Sequence, residues 1–415
     1  MKKNILVVAA AAAAVVLGLT SCSGAGSDTS ASGVTITFAH WGNNQEAATL
    51  KSMIAGFEKS HPEITVQENW IQSDYEQKLQ TTIAGGKQPT VSQISNTSLA
   101  SFAAAYQPVE VDPSAYYSKN ISSSMQVDGK YYAVPFVVKT KVMAVNGKVF
   151  DAAGIPVPSA DEPMTTAEFA QTAQKLTSGE APNKIYGSAR LWYGGWLNVE
   201  GGSLYDASGK KCTLDTDVAI KAADDVIAAQ APTGFAPTNL EAEGQDMFDW
   251  LSIGRVAMQP DFGPWDIAKV VALNDPSIKL VPVPGKGEPM EINGLGIAKS
   301  ATPEEAKAAK TFAEYLSTDQ AAQDLLTTAK SSLGVPVIEK SLDAFRSAAP
   351  DLNLQAFVTA VDQSTIVPSV KKDTQIQNDF NNEVNSRTAL GAGKEAPSKV
   401  FPEANKACQA VIDGE

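Results

Sequence analysis

VTITFAHW, residues Val34 to Trp41, decides the fold class. Val34, Ile36 and Phe38 alternate with Thr35, Thr37 and Ala39, the period of a strand with one buried face. Behind it Leu50, Met53, Ile54 and Phe57 recur at helical spacing. That helix stops before Pro62, because the residue preceding a proline resists helical geometry. ITVQENW reads as a second strand. Tyr75, Leu79 and Ile83 mark a second helix closed by Gly85-Gly86, and TVSQIS is a third strand. Strand, helix, strand, helix, strand predicts an α/β fold, a parallel sheet covered by helices.

The pattern resumes downstream. Thr165 with Glu168 offers a capping box ahead of Phe169, Ala173 and Leu176. Thr302, Pro303 and Glu305 make a stronger helix start, with Ala309, Phe312, Ala313 and Leu316 as its buried stripe. From about Ser341 onward the chain reads as helices joined by polar turns. A chain of 415 residues exceeds one ordinary core, so two domains or two lobes are expected.

The N-terminus reads as an export signal. Lys2 and Lys3 precede an uncharged apolar run, Ile5 to Leu19, too short for a comfortable membrane span. Leu19-Thr20-Ser21-Cys22 then resembles the bacterial lipobox, in which the cysteine is lipid-modified and becomes the first mature residue. The alternative is a plain signal peptide with an incidental cysteine. Residues 1–21 are thus expected to be signal peptide, and 22–33 a lipidated Cys22 followed by a flexible tether. Cys212 and Cys408 could form one disulfide in an exported chain, or remain two separate small side chains.

Several chemistries are poorly supplied. A formal charge of −13, from 33 Lys and Arg against 46 Asp and Glu, argues against nucleic acid. Two histidines give little material for a triad or a zinc site. There is no HExxH, no paired CxxC and no Walker A, so neither metal nor cofactor is expected. Paired carboxylates could serve a glycosidase, but with 46 acids their presence is uninformative.

A series of stretches resembles the extracellular solute-binding proteins of sugar ABC transporters, the maltose-binding-like group. In order they are the lipobox and tether, Trp41-Gly42-Asn43 with a helix ending FEKSHPEITV, and DGKYYAVPFVVKTKVMAVNGKVFDAAGIPVP. MTTAEFAQTAQKL, FDWLSIGRVAMQPDFGPW and PVPGKGEPMEINGLGIAKSATPEEAKAAKTFAEYLS follow. One departure is Asn293-Gly294, where the family often has a glycine pair. The resemblance implies two α/β lobes joined by a hinge with ligand held in the cleft. The crossings fall near Lys139–Thr140, Pro284–Asn293 and Pro336. Lobe 1 is then 34–138 plus 293–335, and lobe 2 is 139–292 plus 336–415. It also implies a monomeric, non-enzymatic, lipid-anchored carbohydrate-binding protein outside the cytoplasmic membrane, serving ABC permease subunits. The rivals are a secreted glycosidase and a binder of a non-sugar solute.

The candidate ligand residues follow from position and chemistry. Trp41 ends the first strand, where open α/β sheets bind ligands, although it could be core. Asn43 and Asn44 share its loop, with helix capping as the alternative, and Asp74 is equally an N-cap. Asn96 follows the third strand and can both donate and accept. Phe136 sits near the first crossing, packing under a sugar or filling the hinge; Asn293 sits at the second. Trp265 occupies the turn DFGPWD beside Asp261, where a large aromatic needs something to stack. Trp192 and Trp196 flank a glycine pair, and one is expected to stack on ligand while the other braces it. Trp250 and Trp70 are assigned to structure.

Overall fold

The segment around Phe38 lies at the heart of a five-stranded sheet. The computed structural model describes residues 33–327, 333–364 and 366–414, so the signal peptide, Cys22 and the tether up to residue 32 lie outside the described residues. The chain begins β1 (Val34–His40), α1 (Asn44–Ser60), β2 (Ile64–Trp70), α2 (Tyr75–Ala84) and β3 (Val91–Ser95). β4 (Val134–Lys139) and β5 (Val142–Asn146) follow, then α3 (Thr166–Leu176), α4 (Tyr193–Val199) and α5 (Asp217–Ala229). Next come β6 (Met258–Phe262), β7 (Ile278–Val281), β8 (Glu291–Ile297) and α6 (Pro303–Thr318). α7 (Gln355–Gln363), α8 (Asp373–Arg387) and α9 (Pro397–Asp413) complete the labelled elements.

Two sheets give the two-lobed α/β architecture. The first has the order β2-β1-β3-β8-β4. β1 runs parallel to β2 and β3, but β8 is antiparallel to both β3 and β4. The parallel expectation therefore holds for the first three strands only. β8 arrives from the second lobe rather than through a helical crossover, and antiparallel entry needs no such crossover. The second sheet is antiparallel throughout, in the order β6-β5-β7.

The chain passes between sheets with little slack. Only Thr140 and Lys141 separate β4 from β5, and the return runs between Val281 and Glu291. Val335 then exchanges backbone hydrogen bonds with Val138 at 3.0 and 2.8 Å, adding a third strand of chain beside the crossing. Lys139, Glu291 and Ile292, which the sequence reading placed in lobe 2, belong to the first sheet.

Three packed regions hold this arrangement. α1 and α6 bury Leu50, Phe57, Phe312 and Leu316 against Ile36, Phe38 and Leu295. Phe312 meets Phe38 and Phe57 edge-on at 5.2 and 5.0 Å. In the second lobe Met143, Phe169, Val226 and Phe401 form a separate core. A third region is shared by both sheets: Ile94, Val138 and Ile292 from the first, Val142, Phe262 and Leu280 from the second. Burying each such side chain contributes about 1.5–3 kcal/mol.

The helix starts are as the sequence chemistry requires. Thr165–Glu168 and Thr302–Glu305 both form complete capping boxes, the latter with Pro303 at the first helical position. Each cap is worth about 1 kcal/mol. Cys212 and Cys408 are joined in a disulfide, with a Cα separation of 6.2 Å, tying α9 to the loop before α5. Trp250 is buried, and the Trp70 indole N–H donates to the Gly42 carbonyl at 3.0 Å.

Candidate functional site

Four strand ends meet at one edge of the first sheet. β1 and β3 finish there, β4 delivers Lys139 to it, and the opposed β8 begins there with Glu291. Trp41 follows β1 directly, and Tyr75 opens α2 beside it. Their rings lie 4.9 Å apart. The Tyr75 hydroxyl donates to the carbonyls of Gln93 at 2.8 Å and Ala39 at 3.1 Å, which locks the ring in place. Burial holds that phenol well above its ordinary pKa. Trp41 and Tyr75 wall a hollow of about 440 Å³ together with the carboxylates of Asp74, Glu76 and Glu291 and the hydroxyls of Ser95 and Thr97. An aromatic surface beside hydrogen-bonding oxygens suits a polyhydroxylated ligand, whose C–H faces are apolar and whose rim is polar.

The loop after Trp41 does structural work. Asn43 Oδ1 accepts from the backbone N–H groups of Gln45 and Glu46, both at 2.9 Å. Glu46 returns the favour by accepting from the Asn43 N–H at 2.7 Å. Asn43 is therefore the cap of α1, and the capping alternative applies to it. Gly42 makes this box possible: at φ +139 its backbone suits glycine, and an added Cβ would lie 2.8 Å from Glu46 Cβ. Asn44, the first residue of α1, is exposed. Asp74 is not a working cap. It adopts a left-handed φ of 52° with no capping hydrogen bond, leaving its exposed carboxylate beside the hollow.

Two asparagines sit deeper. Asn96 accepts from the Ile292 N–H at 2.8 Å and so clamps β3 to β8, while its Nδ2 is buried without a partner. Asn293 is fully buried opposite Ser95, and neither of its side-chain polar atoms has a partner.

Charged groups crowd the crossing. Lys139 forms a buried ion pair with Glu46, and its ammonium lies 5.9 Å from the centre of the Trp265 ring. Lys141 pairs with Glu288 at 2.5 Å. Burial pulls the Lys141 ammonium down, but Glu288, with Asp261 and Glu291, raises it by more and the net shift is upward. Burial pushes the carboxyls of Glu288, Glu291 and Asp261 up, against the opposing pull of the nearby lysines. Asp261, on β6, also has Arg190 in electrostatic range and one buried oxygen without a partner.

Trp265 occupies a single 3-10 turn, Pro264–Asp266, directly after β6. Gly263 lets its ring lie against the backbone: an added Cβ would approach the indole to 2.2 Å. Trp192 is 59% exposed and is stacked by the Arg190 guanidinium at 4.2 Å. It borders a smaller hollow of about 200 Å³ lined also by Tyr193, Gln377, Phe380 and Asn381. The same helix, α8, reaches the first lobe, where the Thr374 hydroxyl lies 3.5 Å from Glu76. Just before α8, Ser369 Oγ accepts from the Ala100 N–H at 2.8 Å and donates to the Thr97 carbonyl at 3.0 Å.

Two of the candidates take their packing alternative. Phe136 is fully buried because its position on β4 faces α1 and α6. Trp196 is 5% exposed and packs 5.3 Å from Phe169, because it lies on the inward side of α4. Sequence reasoning missed Tyr75, Glu76, Ser95, Thr97 and Glu291. The strand-end rule that pointed to Trp41 and Asn96 also covers Ser95 and Thr97. Glu291 had no such signal, because its place depends on an antiparallel strand returning to that edge.

Comparison with known proteins bears on the family and the fold. The family described as bacterial extracellular solute-binding protein matches residues 41–323. The diacetylchitobiose binding protein DasA of Streptomyces coelicolor is 24% identical over 349 residues, covering 80% of each chain. An uncharacterized lipoprotein of Streptomyces antibioticus, encoded in the oleD 5' region, is 28% identical over 270 residues, covering 59% of this chain and 57% of that one. Among solved structures, the ABC substrate-binding protein Lmo0181 of Listeria monocytogenes, in complex with cycloalternan, superposes with a TM-score of 0.80 at 23% identity. The match covers 92% of this chain and 99% of that one.

Proposed function

The chain belongs to the bacterial extracellular solute-binding proteins, and from that premise we propose that it captures an oligosaccharide between its two lobes and delivers it to an ABC importer. The observation that carries this reading is the Trp41–Tyr75 platform, ringed by carboxylates and hydroxyls at the strand ends. DasA, named for its disaccharide, and Lmo0181, seen with a cyclic oligosaccharide, support the ligand class. Trp41, Asp74 and Asn293 serve the ligand from lobe 1. Trp265, Asp261 and Trp192 serve it from lobe 2, with Asn44 at the margin and Asn96 buried behind the site. The mechanism is closure. Bringing the lobes together expels water and strengthens hydrogen bonds to the sugar, and no bond of the ligand is made or broken. The lobes meet at the crossings around Lys139–Val142 and 282–290, and residues 369–374 bear on the first lobe as a rim contact.

The protein acts as a monomer held at the outer face of the cell membrane by lipid on Cys22, and permease subunits receive the ligand. The sequence Leu19-Thr20-Ser21-Cys22 and the lipoprotein relative support the anchor. Cys22→Ala should release the protein from the membrane fraction. Capture is tested by melting the mature protein with mono- and oligosaccharides, since a ligand that binds only the folded state raises Tm. At least one oligosaccharide should raise it, and Trp265→Ala should abolish the shift while the unliganded protein still folds. No response to any sugar, or release of a cleaved product from one, overturns the reading.

A further inference from the structure

The hollow beside Trp41 and Tyr75 has a lopsided charge. Asp74, Glu76 and Glu291 line it, and among the described residues no lysine or arginine does. Lys139 and Lys141 act on Glu291 through space, but each is ion-paired to another carboxylate, Lys139 to Glu46 and Lys141 to Glu288. Glu76 accepts the Ser98 hydroxyl and has further lone pairs to offer. A second observation points the same way. Asn293 faces Ser95 across the β3–β8 ladder and is two residues from Glu291, so strand alternation puts all three on one face of the sheet. Ser95 and Glu291 line the hollow, and Asn293 is fully buried with both its amide oxygen and its amide nitrogen unpartnered, so it can accept from an ammonium and donate to a ring or hydroxyl oxygen of the same ligand.

A neutral hydroxyl can use one carboxylate as acceptor, but it leaves the accumulated negative charge in place. An ammonium supplies three donors and a compensating charge, and hydrogen bonds between ions are about twice as strong as neutral ones. The faces of Trp41 and Tyr75 add attraction for a cation. Acylating the amine would remove both the charge and two donors.

We infer that the preferred ligand is an amino sugar oligomer with a free, protonated amino group, seated with that group among Asp74, Glu76 and Glu291. This rests on the sugar-capturing role proposed above. Calorimetric titration of the mature protein with chitobiose (the free diamine), diacetylchitobiose and maltotriose in mildly acidic buffer separates the two ideas. Chitobiose should bind at least about tenfold more tightly than diacetylchitobiose. That preference should shrink toward parity in Glu291→Gln and in Glu76→Gln, each checked for a normal melting transition; if one variant fails to fold, the other decides. Equal or tighter binding of the acetylated or neutral sugar overturns the amine assignment and leaves sugar capture standing. An amine preference unchanged in every folded variant overturns the seating and reports general attraction to an acidic protein. Binding of none of these sugars, nor of any sugar in the thermal screen, removes the capture reading itself.

Discussion

The Glu46–Lys139 pair allows one perturbation to be worked through. Both side chains are less than a tenth exposed, and Glu46 has a second duty in the α1 capping box. Glu46→Gln separates the two roles, because glutamine can still serve the box. What is lost is the charge opposite Lys139. Removing one partner of a buried pair costs about 3–5 kcal/mol, since the other charge remains buried. The neighbouring Glu291 carboxylate softens the loss, so the lower end, about 3 kcal/mol, is expected. Unfolding entropy of ~2.1 cal/mol/K per residue over ~380 residues gives ~0.8 kcal/mol/K, and hence a fall in Tm of ~4 °C. Glu46→Ala should lose about 1 kcal/mol more, through the cap. Scanning calorimetry reads both. The double variant Glu46→Gln with Lys139→Met should recover most of the loss, because an apolar replacement of a buried pair is often neutral. A single variant melting within about 1 °C of the parent, or a double variant no better than the single, would mean that Lys139 is not left as an uncompensated buried charge.

Three further outcomes are expected. Trp196→Ala should destabilise by about 3–5 kcal/mol in urea titrations, whereas Trp192→Ala should leave the unfolding midpoint nearly unchanged and weaken sugar binding. Asp261→Asn should stabilise the unliganded protein at neutral pH. Burial raises this carboxyl in the folded state, so its ionisation disfavours folding above the ordinary pKa of about 4 and has no effect below it. The advantage of the variant should therefore be absent in acid, grow as pH rises above about 4, and level off once pH passes the raised folded pKa, as urea midpoints across that range would report. Replacing Cys212 and Cys408 together by serine should cost up to about 5 kcal/mol, the chain-entropy expectation for so long a loop, measured as the difference between variant and oxidised parent.

Part of the candidate site was legible in the sequence. Trp41 and Asn96 follow strands whose period was plain, and Trp265 stood out as a large aromatic in a tight turn. The aromatic residues were harder to sort. Phe136 and Trp196 resembled ligand residues by type and neighbourhood, yet each faces inward once its element packs. Asn43 and Asp74 each read as either cap or ligand residue; Asn43 caps α1 with its side chain, whereas Asp74 stands at the N-cap of α2 without a side-chain cap bond.

By itself the sequence determined what depends on near neighbours. The alternation of Val34, Ile36 and Phe38, the helical stripe of Leu50, Met53 and Phe57, and the boxes at Thr165 and Thr302 are set within a few residues. What depends on distant neighbours came from packing. β8 enters antiparallel and brings Glu291 to the edge where Trp41 and Tyr75 stand, and the crossing puts Lys139 between Glu46 and Trp265. These groups come from separate parts of the chain, and their meeting follows from burying two sheets against a shared core, which no local period encodes.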